Sequence, residues 1–382
     1  MMFKKQALKT ICALACCAAL AVPHAGACTS AIIGAELNPY GRPILWKHRD
    51  TSTIDNKVER VPACGSDLGY VALFNAADRD LKEAWMGMND AGFAVMNTAS
   101  YNIKDDKVPA KKMDREGLLM TRALKTCRTV DDFARLLETY RRPMGVEANF
   151  GVIDATGAGA YFETNNHTYV RYDLKDAPQH LLVRTNYSHS GRPGEGYGFV
   201  REANAEVLLQ PYVDEASVTP EVLTEVLSRT FYHDGRKQDM EYVPGQWVLD
   251  LDYIPRYKST ATVAIEGCKP LTDVAEATPE FVADQYVMWI GMGYPPVSEI
   301  KAVRNADDGV DPGLRGTLPG GHCRLGDEAK AVRDSIFDNR GSKKDVYIDI
   351  SRLFNDQGTG IVQSRRRINH ETYRREIERR DK

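Results

Sequence analysis

Ala25-Gly26-Ala27-Cys28-Thr29-Ser30-Ala31-Ile32-Ile33-Gly34-Ala35-Glu36-Leu37-Asn38-Pro39-Tyr40-Gly41-Arg42-Pro43-Ile44-Leu45-Trp46-Lys47-His48-Arg49-Asp50 is the stretch from which the rest of the chain is read. Thr29 to Glu36 alternates and then runs apolar, Asn38 to Gly41 is a turn, and Pro43 to Trp46 enters a second strand. A strand pair joined by a short turn results, with Cys28 at its tip. Upstream, Lys4, Lys5 and Lys9 precede an apolar run from Ile11 to Val22, and Ala25-Gly26-Ala27 supplies small residues before Cys28. That order predicts an export signal over residues 1–27, cleaved after Ala27. A membrane anchor would need about 20 apolar residues, and this run is shorter.

Cleavage would leave 355 of the 382 residues and a formal charge near −6 in place of −3, because the signal carries three lysines and no acid. Such a chain is long enough for one large domain or two small ones. Its mildly acidic balance gives no reason to expect nucleic acid as a partner, and no later stretch is apolar enough to span a membrane. Five cysteines would remain, Cys28, Cys64, Cys127, Cys268 and Cys323. Export permits disulfides, but the odd count leaves at least one thiol without an internal partner, and the pairing stays open. No C-x-x-C or H-x-x-x-H spacing is present, so neither a metal nor another cofactor is expected. Nothing in the sequence sets an oligomeric state, and a homo-oligomer remains open.

Glu83 to Asn97 predicts strand, turn, strand around Asn89-Asp90-Ala91-Gly92, and Asn149 to Asp173 repeats the form around Asp154-Ala155-Thr156-Gly157. Helical spacing runs over Glu116 to Cys127, and Thr129 caps a second helix through Leu137. Gly198 to Leu209 is a third helix and Ser217 to Ser228 a fourth, with Thr219 as cap and Pro220 in the first turn. Thr260 to Ile265 and Val287 to Met292 read as strands. There is no βαβ rhythm or phosphate-cradling glycine loop, which favours layered α+β with mostly antiparallel sheets. After about residue 300 the character changes. Asp307 to Gly321 is rich in Gly, Asp and Pro, and Gln363 to Lys382 reads as a solvated helix or frayed terminus.

A cysteine exposed as residue one has specific chemistry. A free α-amine has a pKa of about 8, so it can act as general base beside the thiol of the same residue. The scheme also needs a group to orient the amine, a cation near the thiolate and donors for the oxyanion. The competing reading is a lipoprotein, in which Cys28 is lipidated and the chain is an anchored, non-catalytic binding protein. Lipoprotein signals carry Leu three residues before the cysteine, where this chain has Ala25.

Cys28-Thr29 at the start, Lys47-His48-Arg49-Asp50 after one hairpin, Gly87-Met88-Asn89-Asp90-Ala91-Gly92-Phe93-Ala94, Asn149 to Gly157, Arg184-Thr185-Asn186-Tyr187 and Phe199 to Asn204 follow one another in order. Together they resemble the cysteine N-terminal-nucleophile (Ntn) hydrolases. These include the choloylglycine hydrolases and the acyl-CoA:6-aminopenicillanic acid acyltransferase family. The resemblance spans about residues 28 to 300, which sets that range as the catalytic domain and 301–382 as a C-terminal extension. It implies a four-layer αββα sandwich and hydrolysis of linear, non-peptide amides through an acyl-enzyme, or transfer of the acyl group to an amine. Bile-salt deconjugation is the nearest alternative within the class.

The resemblance also implies roles. Cys28 is the nucleophile, Asp50 orients its amine, and Asn186 supplies an oxyanion amide. Lys47 stands where the family has arginine, keeping the charge but losing the planar fork, and Arg49 is the other source of a guanidinium. Asn97 falls near a second polar hairpin position, and Arg201 and Arg256 carry weaker signals. For Trp46, Tyr101, Phe162 and Tyr187 the choice is between core and acyl-pocket wall, with core favoured. No histidine has a role in this scheme. The partner is a small-molecule amide, and an exported protein, periplasmic or extracellular, would act on it there.

Overall fold

The computed structural model describes residues 27–104, 107–243 and 246–380. The expected export signal, apart from Ala27, lies outside the described residues. The architecture is mixed α/β, with antiparallel sheets flanked by helices. A six-stranded sheet runs in the order β10 (Leu181–Arg184), β1 (Cys28–Ile33), β2 (Ile44–Asp50), β14 (Ser259–Glu266), β15 (Val287–Met292), β16 (Ile300–Val303). A seven-stranded meander follows chain order: β3 (Asn56–Val61), β4 (Tyr70–Asn75), β5 (Ala84–Asn89), β6 (Ala94–Ala99), β7 (Ala148–Ile153), β8 (Gly159–Thr164), β9 (Tyr169–Asp173). Two small sheets pair β11 (Tyr232–His233) with β12 (Gln238–Asp239), and β18 (Tyr347–Asp349) with β13 (Trp247–Leu249) and β17 (Phe337–Asp338).

Three apolar layers hold this together. Ile32, Leu45 and Val263 of the six-stranded sheet meet Val71, Met86 and Met96 of the seven-stranded sheet in one core. On its other face the seven-stranded sheet packs Val95 and Phe150 against Leu119 and Leu124 of α1 (Glu116–Thr126) and Phe133 of α2 (Val130–Thr139). The outer face of the six-stranded sheet puts Ile33, Trp46 and Trp289 against Leu209 of α3 (Phe199–Asp214) and Leu223. Each large apolar side chain buried in this way contributes about 1.5–3 kcal/mol. Trp46 and Phe162 are core residues, as favoured from the sequence.

The first two helices start where the sequence places them. Thr129 and Asp132 form a reciprocal capping box at α2. The segment after Pro220 differs from the expected α-helix, because Val222–Leu227 is a π turn. Ser228 returns both its N–H (3.2 Å) and its hydroxyl (2.9 Å) to the Leu223 carbonyl, five residues back, which widens the turn.

The C-terminal helices are α4 (Pro279–Gln285), α5 (Arg324–Ile336), α6 (Ile350–Leu353) and α7 (Ile361–Arg380). The last is helical but not simply solvated. Tyr373 is buried 4.6 Å from the Trp289 ring, and Asn369 accepts from the Ile300 N–H (2.9 Å) and donates to Glu225 (2.7 Å). Arg380 reaches Glu266 at 2.6 Å. A charged sequence with few apolar anchors therefore docks through isolated buried residues. Among the described residues no helix is long and apolar enough to cross a membrane.

Candidate functional site

The β1–β2 register sets Cys28 opposite Arg49 and Ser30 opposite Lys47. Cross-strand partners share a face and side chains alternate along each strand. Cys28, Lys47 and Arg49 therefore look toward the seven-stranded sheet, whereas Thr29, His48 and Asp50 look the other way. One hairpin divides the candidate residues between two faces.

On the inner face Cys28 is 6% exposed, with Sγ 3.8 Å from the Asp50 carbonyl oxygen. Lys47 Nζ donates to Asn97 Oδ1 (2.9 Å) and to the Trp85 carbonyl (3.0 Å). Burial lowers the Lys47 ammonium to about 8, while negative charge on Cys28 pulls it the other way. Arg49 donates to Asn56 Oδ1 (2.5 Å) and Asn75 Oδ1 (2.9 Å), with its guanidinium 5.3 Å from the Trp85 ring centre. Burial brings it to about 10, again opposed by Cys28. Every acceptor that these cations bond is neutral, so their positive charge is available to a thiolate. Lys47 and Arg49 both lie on the face of Cys28.

Asn97 has a defined orientation. Lys47 can only donate, so Asn97 must turn its oxygen toward it. The Asn97 Nδ2 is then an amide donor left at the cavity wall; the residue is 4% exposed, and among the described residues only its Oδ1 is bonded. Asn186 is placed differently. Its Oδ1 accepts from the Cys28 nitrogen (2.8 Å) and from Arg201 Nη2 (2.8 Å), and its Nδ2 donates to the Ala99 carbonyl (2.9 Å). Asn186 thus meets the nitrogen of Cys28 through its oxygen, and Asn97 presents an amide donor to the Cys28 cavity.

The Cys28 nitrogen is here a peptide N–H joined to Ala27, standing in for the α-amine of a processed chain. Arg201 clamps the same residue, donating to the Cys28 carbonyl (2.5 Å), and also bonds Thr29 Oγ1 (3.2 Å). Burial lowers Arg201 to about 10. Gly198, at φ +97° before α3, makes room for this clamp, since a Cβ there would lie 2.6 Å from Arg201 Nη2.

Asp50 does not bond the Cys28 nitrogen in this form of the chain. It accepts from Ser259 Oγ (2.6 Å) on one oxygen and from Arg256 Nη2 (2.9 Å) and Nε (3.2 Å) on the other. A register shift between Ser259 and Ala261 in β14 puts Ser259 opposite Asp50. His48 Nε2 lies 2.8 Å from Ser259 Oγ and 3.6 Å from Asp50, and burial lowers it to about 4, so the ring is neutral. Arg256 and Ser259 had little or no signal in the sequence, because a loop arginine and a strand-end serine are common.

Two cavities meet at Tyr101. One of about 490 Å³ contains Cys28, Lys47, Arg49 and Asn97. The other, of about 610 Å³, contains Ala27, Arg201, Arg256 and Tyr197. Tyr101 and Tyr197 meet edge-on with centroids 5.6 Å apart. Tyr101 is therefore a cavity wall, against the core position favoured from sequence. Tyr187 is half-buried and packs on Phe199 at 4.2 Å. All five cysteines from Cys28 onward are free thiols, with Cys64 exposed and the others buried. Away from the cavities, folding brings Asp55, His322 and Asp327 together from distant parts of the chain, with donor atoms within 4.8 Å of one another.

Residues 82–205, about a third of the chain, match the family described as acyl-coenzyme A:6-aminopenicillanic acid acyl-transferase. Among curated proteins none matches. The chain is distantly similar to three solved structures. The first is a Caenorhabditis elegans N-acylethanolamine-hydrolyzing acid amidase ortholog (15% identity, 66% of this chain and 97% of that one, TM-score 0.42). The second is a mutant conjugated bile acid hydrolase from Clostridium perfringens (11%, 73% and 92%, TM-score 0.39). The third is penicillin V acylase from Agrobacterium tumefaciens (13%, 72% and 86%, TM-score 0.40).

Proposed function

We propose that this chain is a cysteine Ntn amidohydrolase acting on linear, non-peptide amides, with Cys28 as nucleophile once residues 1–27 are removed. The observation that carries the reading is the surroundings of Cys28. Its thiol shares a cavity with Lys47, Arg49 and the Asn97 amide, while its nitrogen is held separately by Asn186. A lipid anchor has no use for such an arrangement. The match over residues 82–205 supports the same class. We read the three apolar layers as those of an αββα sandwich, residues 28–300 as the catalytic domain and 301–382 as an extension packed on it. The enzyme would work outside the cytoplasm on a small-molecule amide.

In the proposed reaction the neutral α-amine takes the thiol proton and the sulfur attacks the carbonyl carbon. The C–S bond forms as the carbonyl π pair moves onto oxygen, where Asn97 Nδ2 donates to it. Collapse breaks the C–N bond, and the leaving nitrogen takes the proton from the α-ammonium. Water then gives a proton to the α-amine and its hydroxide to the thioester carbon. The C–S bond breaks, and the thiolate recovers the proton. An amine in place of water would give acyl transfer. Lys47 and Arg49 stabilise the thiolate, Arg201 and Asn186 fix the Cys28 backbone, and Asp50, held by Arg256 and Ser259, orients the processed amine.

The test compares three chains in an amine-release assay. One begins at Cys28, one retains Ala27, and one begins at residue 28 with Cys28→Ala. Only the first should turn over, because an amide nitrogen is no base and alanine no nucleophile. Equal rates with Ala27 retained, or activity in Cys28→Ala, would remove the proposal. A diacylglycerol adduct on Cys28 by mass spectrometry would replace it with the lipid-anchored reading.

A further inference from the structure

The cavity beside Cys28 carries opposite charges in separate places. Lys47 and Arg49 stand with the nucleophile, where the thiolate and the developing oxyanion offset them. Elsewhere on the same wall are Asp114, Glu116 and Glu147. Glu116 is 9% exposed and accepts the Glu147 N–H (3.0 Å). The side-chain charges acting most strongly on it, Asp114 and Glu147, are both negative, and with burial as the main cause its carboxyl is pushed up to about 7. Neither Glu116 nor Asp114 forms an ion pair among the described residues, and neither meets Lys47 or Arg49. Tyr101 lines the same cavity, and Cys28 and Glu116 both act on it.

The proposed chemistry orients a substrate in this space. The α-amine must hand its proton to the leaving nitrogen, so the amine half lies where Ala27 stands, beside Tyr101 and Tyr197. The acyl half then enters the Cys28 cavity. At about 490 Å³ this is the size of a small-ligand pocket, and its wall carries the carboxyl groups of Asp114, Glu116 and Glu147. A long alkyl or steroid acyl group would strip water from Glu116 and return no hydrogen bond.

Resting on the amidohydrolase reading, we propose that the preferred acyl group is short and ends in a basic nitrogen. Its carbonyl lies at Cys28, its methylenes pass Tyr101, Trp85 and Met113, and its ammonium sits against Glu116 with Asp114 behind it. Glu116 is thus a specificity-determining residue.

The test uses the chain beginning at Cys28 with four 7-amino-4-methylcoumarin amides: 6-aminohexanoyl, heptanoyl, the monoamide of adipic acid, and palmitoyl. The 6-aminohexanoyl amide should exceed the isosteric heptanoyl amide in kcat/KM by about tenfold or more. Glu116→Gln keeps the acceptor for the Glu147 N–H and should bring that ratio close to one, mainly through KM. Asp114→Asn, at an exposed position, should lower it in the same direction by less. Cys28-dependent release that favours heptanoyl, adipoyl or palmitoyl would overturn this inference and leave the amidohydrolase reading standing. An unchanged ratio in both variants would also overturn it. No Cys28-dependent release from any of the four would remove both.

Discussion

At the scale of single residues, the burial of Lys47 beside Cys28 has a measurable consequence. A buried ammonium lowered to about 8 is charged below that pH and neutral above it. In the proposed reaction, thiolate stabilisation by Lys47 should therefore be present at neutral pH and lost as pH rises through about 8. Folding responds with the opposite sign. Because the folded pKa lies below the ordinary lysine value, the unfolded chain binds more protons between the two, and the Lys47 contribution to stability rises across that window. Alkaline loss of activity through Lys47 should thus occur in a folded protein, which circular dichroism beside the pH–rate profile will show. Lys47→Arg should move the alkaline limb upward; a limb that stays in place would assign it to another group. Asn97 gives a second prediction. Asn97→Asp keeps an oxygen for Lys47 but removes the amide that the proposed reaction turns toward the oxyanion, so kcat should fall by about 10²–10³ with the melting temperature nearly unchanged.

Secondary-structure elements decide which residues can cooperate. Alternation along β2 sends Lys47 and Arg49 to the thiol face and His48 and Asp50 to the other. The register shift in β14 then brings Ser259 to Asp50. The start of α3 is equally constrained, since Gly198 adopts φ +97° to let Arg201 reach the Cys28 carbonyl. Gly198→Ala would force a side chain into a left-handed backbone and against Arg201 and Thr185. It should cost at least about 1 kcal/mol in denaturant melts and lower kcat together with stability. A variant as stable and as active as the parent would mean that α3 positions Arg201 without that turn.

For the molecule as a whole, the C-terminal helix is the informative part. Tyr373 and Asn369 of α7 close the outer face of the six-stranded sheet at Trp289, Ile300 and Glu225. Truncation after Gly360 would uncover Trp289 and leave Glu225 and the Ile300 N–H without their partner, groups that cost about 1–3 kcal/mol each when buried and unsatisfied. The shortened chain should melt well below the parent by calorimetry. An unchanged melting temperature would show that α7 is dispensable to the sheet it covers.

The chain by itself outlined the hairpin at Cys28, the strands around Asn89 and Asp154, β14, β15 and the starts of α1, α2 and α3, and it singled out Cys28, because these follow from local periodicity, turn chemistry and position relative to a signal-like segment. Period-2 alternation along β2 separates Lys47 and Arg49 from Asp50. Tertiary structure decided what no local pattern encodes. Asn97 turns its amide to the cavity because Lys47, from another sheet, binds its oxygen, and Asn186 meets the Cys28 nitrogen with an oxygen that Arg201 also bonds. Arg256, Ser259, Glu116 and Tyr101 enter the site from a loop, a shifted strand end, a helix start and a turn, and their residue types are common in those places. Helix α7 looked solvated because burial of two or three side chains in twenty leaves no apolar stripe to read. Hydrogen bonding and burial depend on which distant groups arrive, and only the folded chain brings them together.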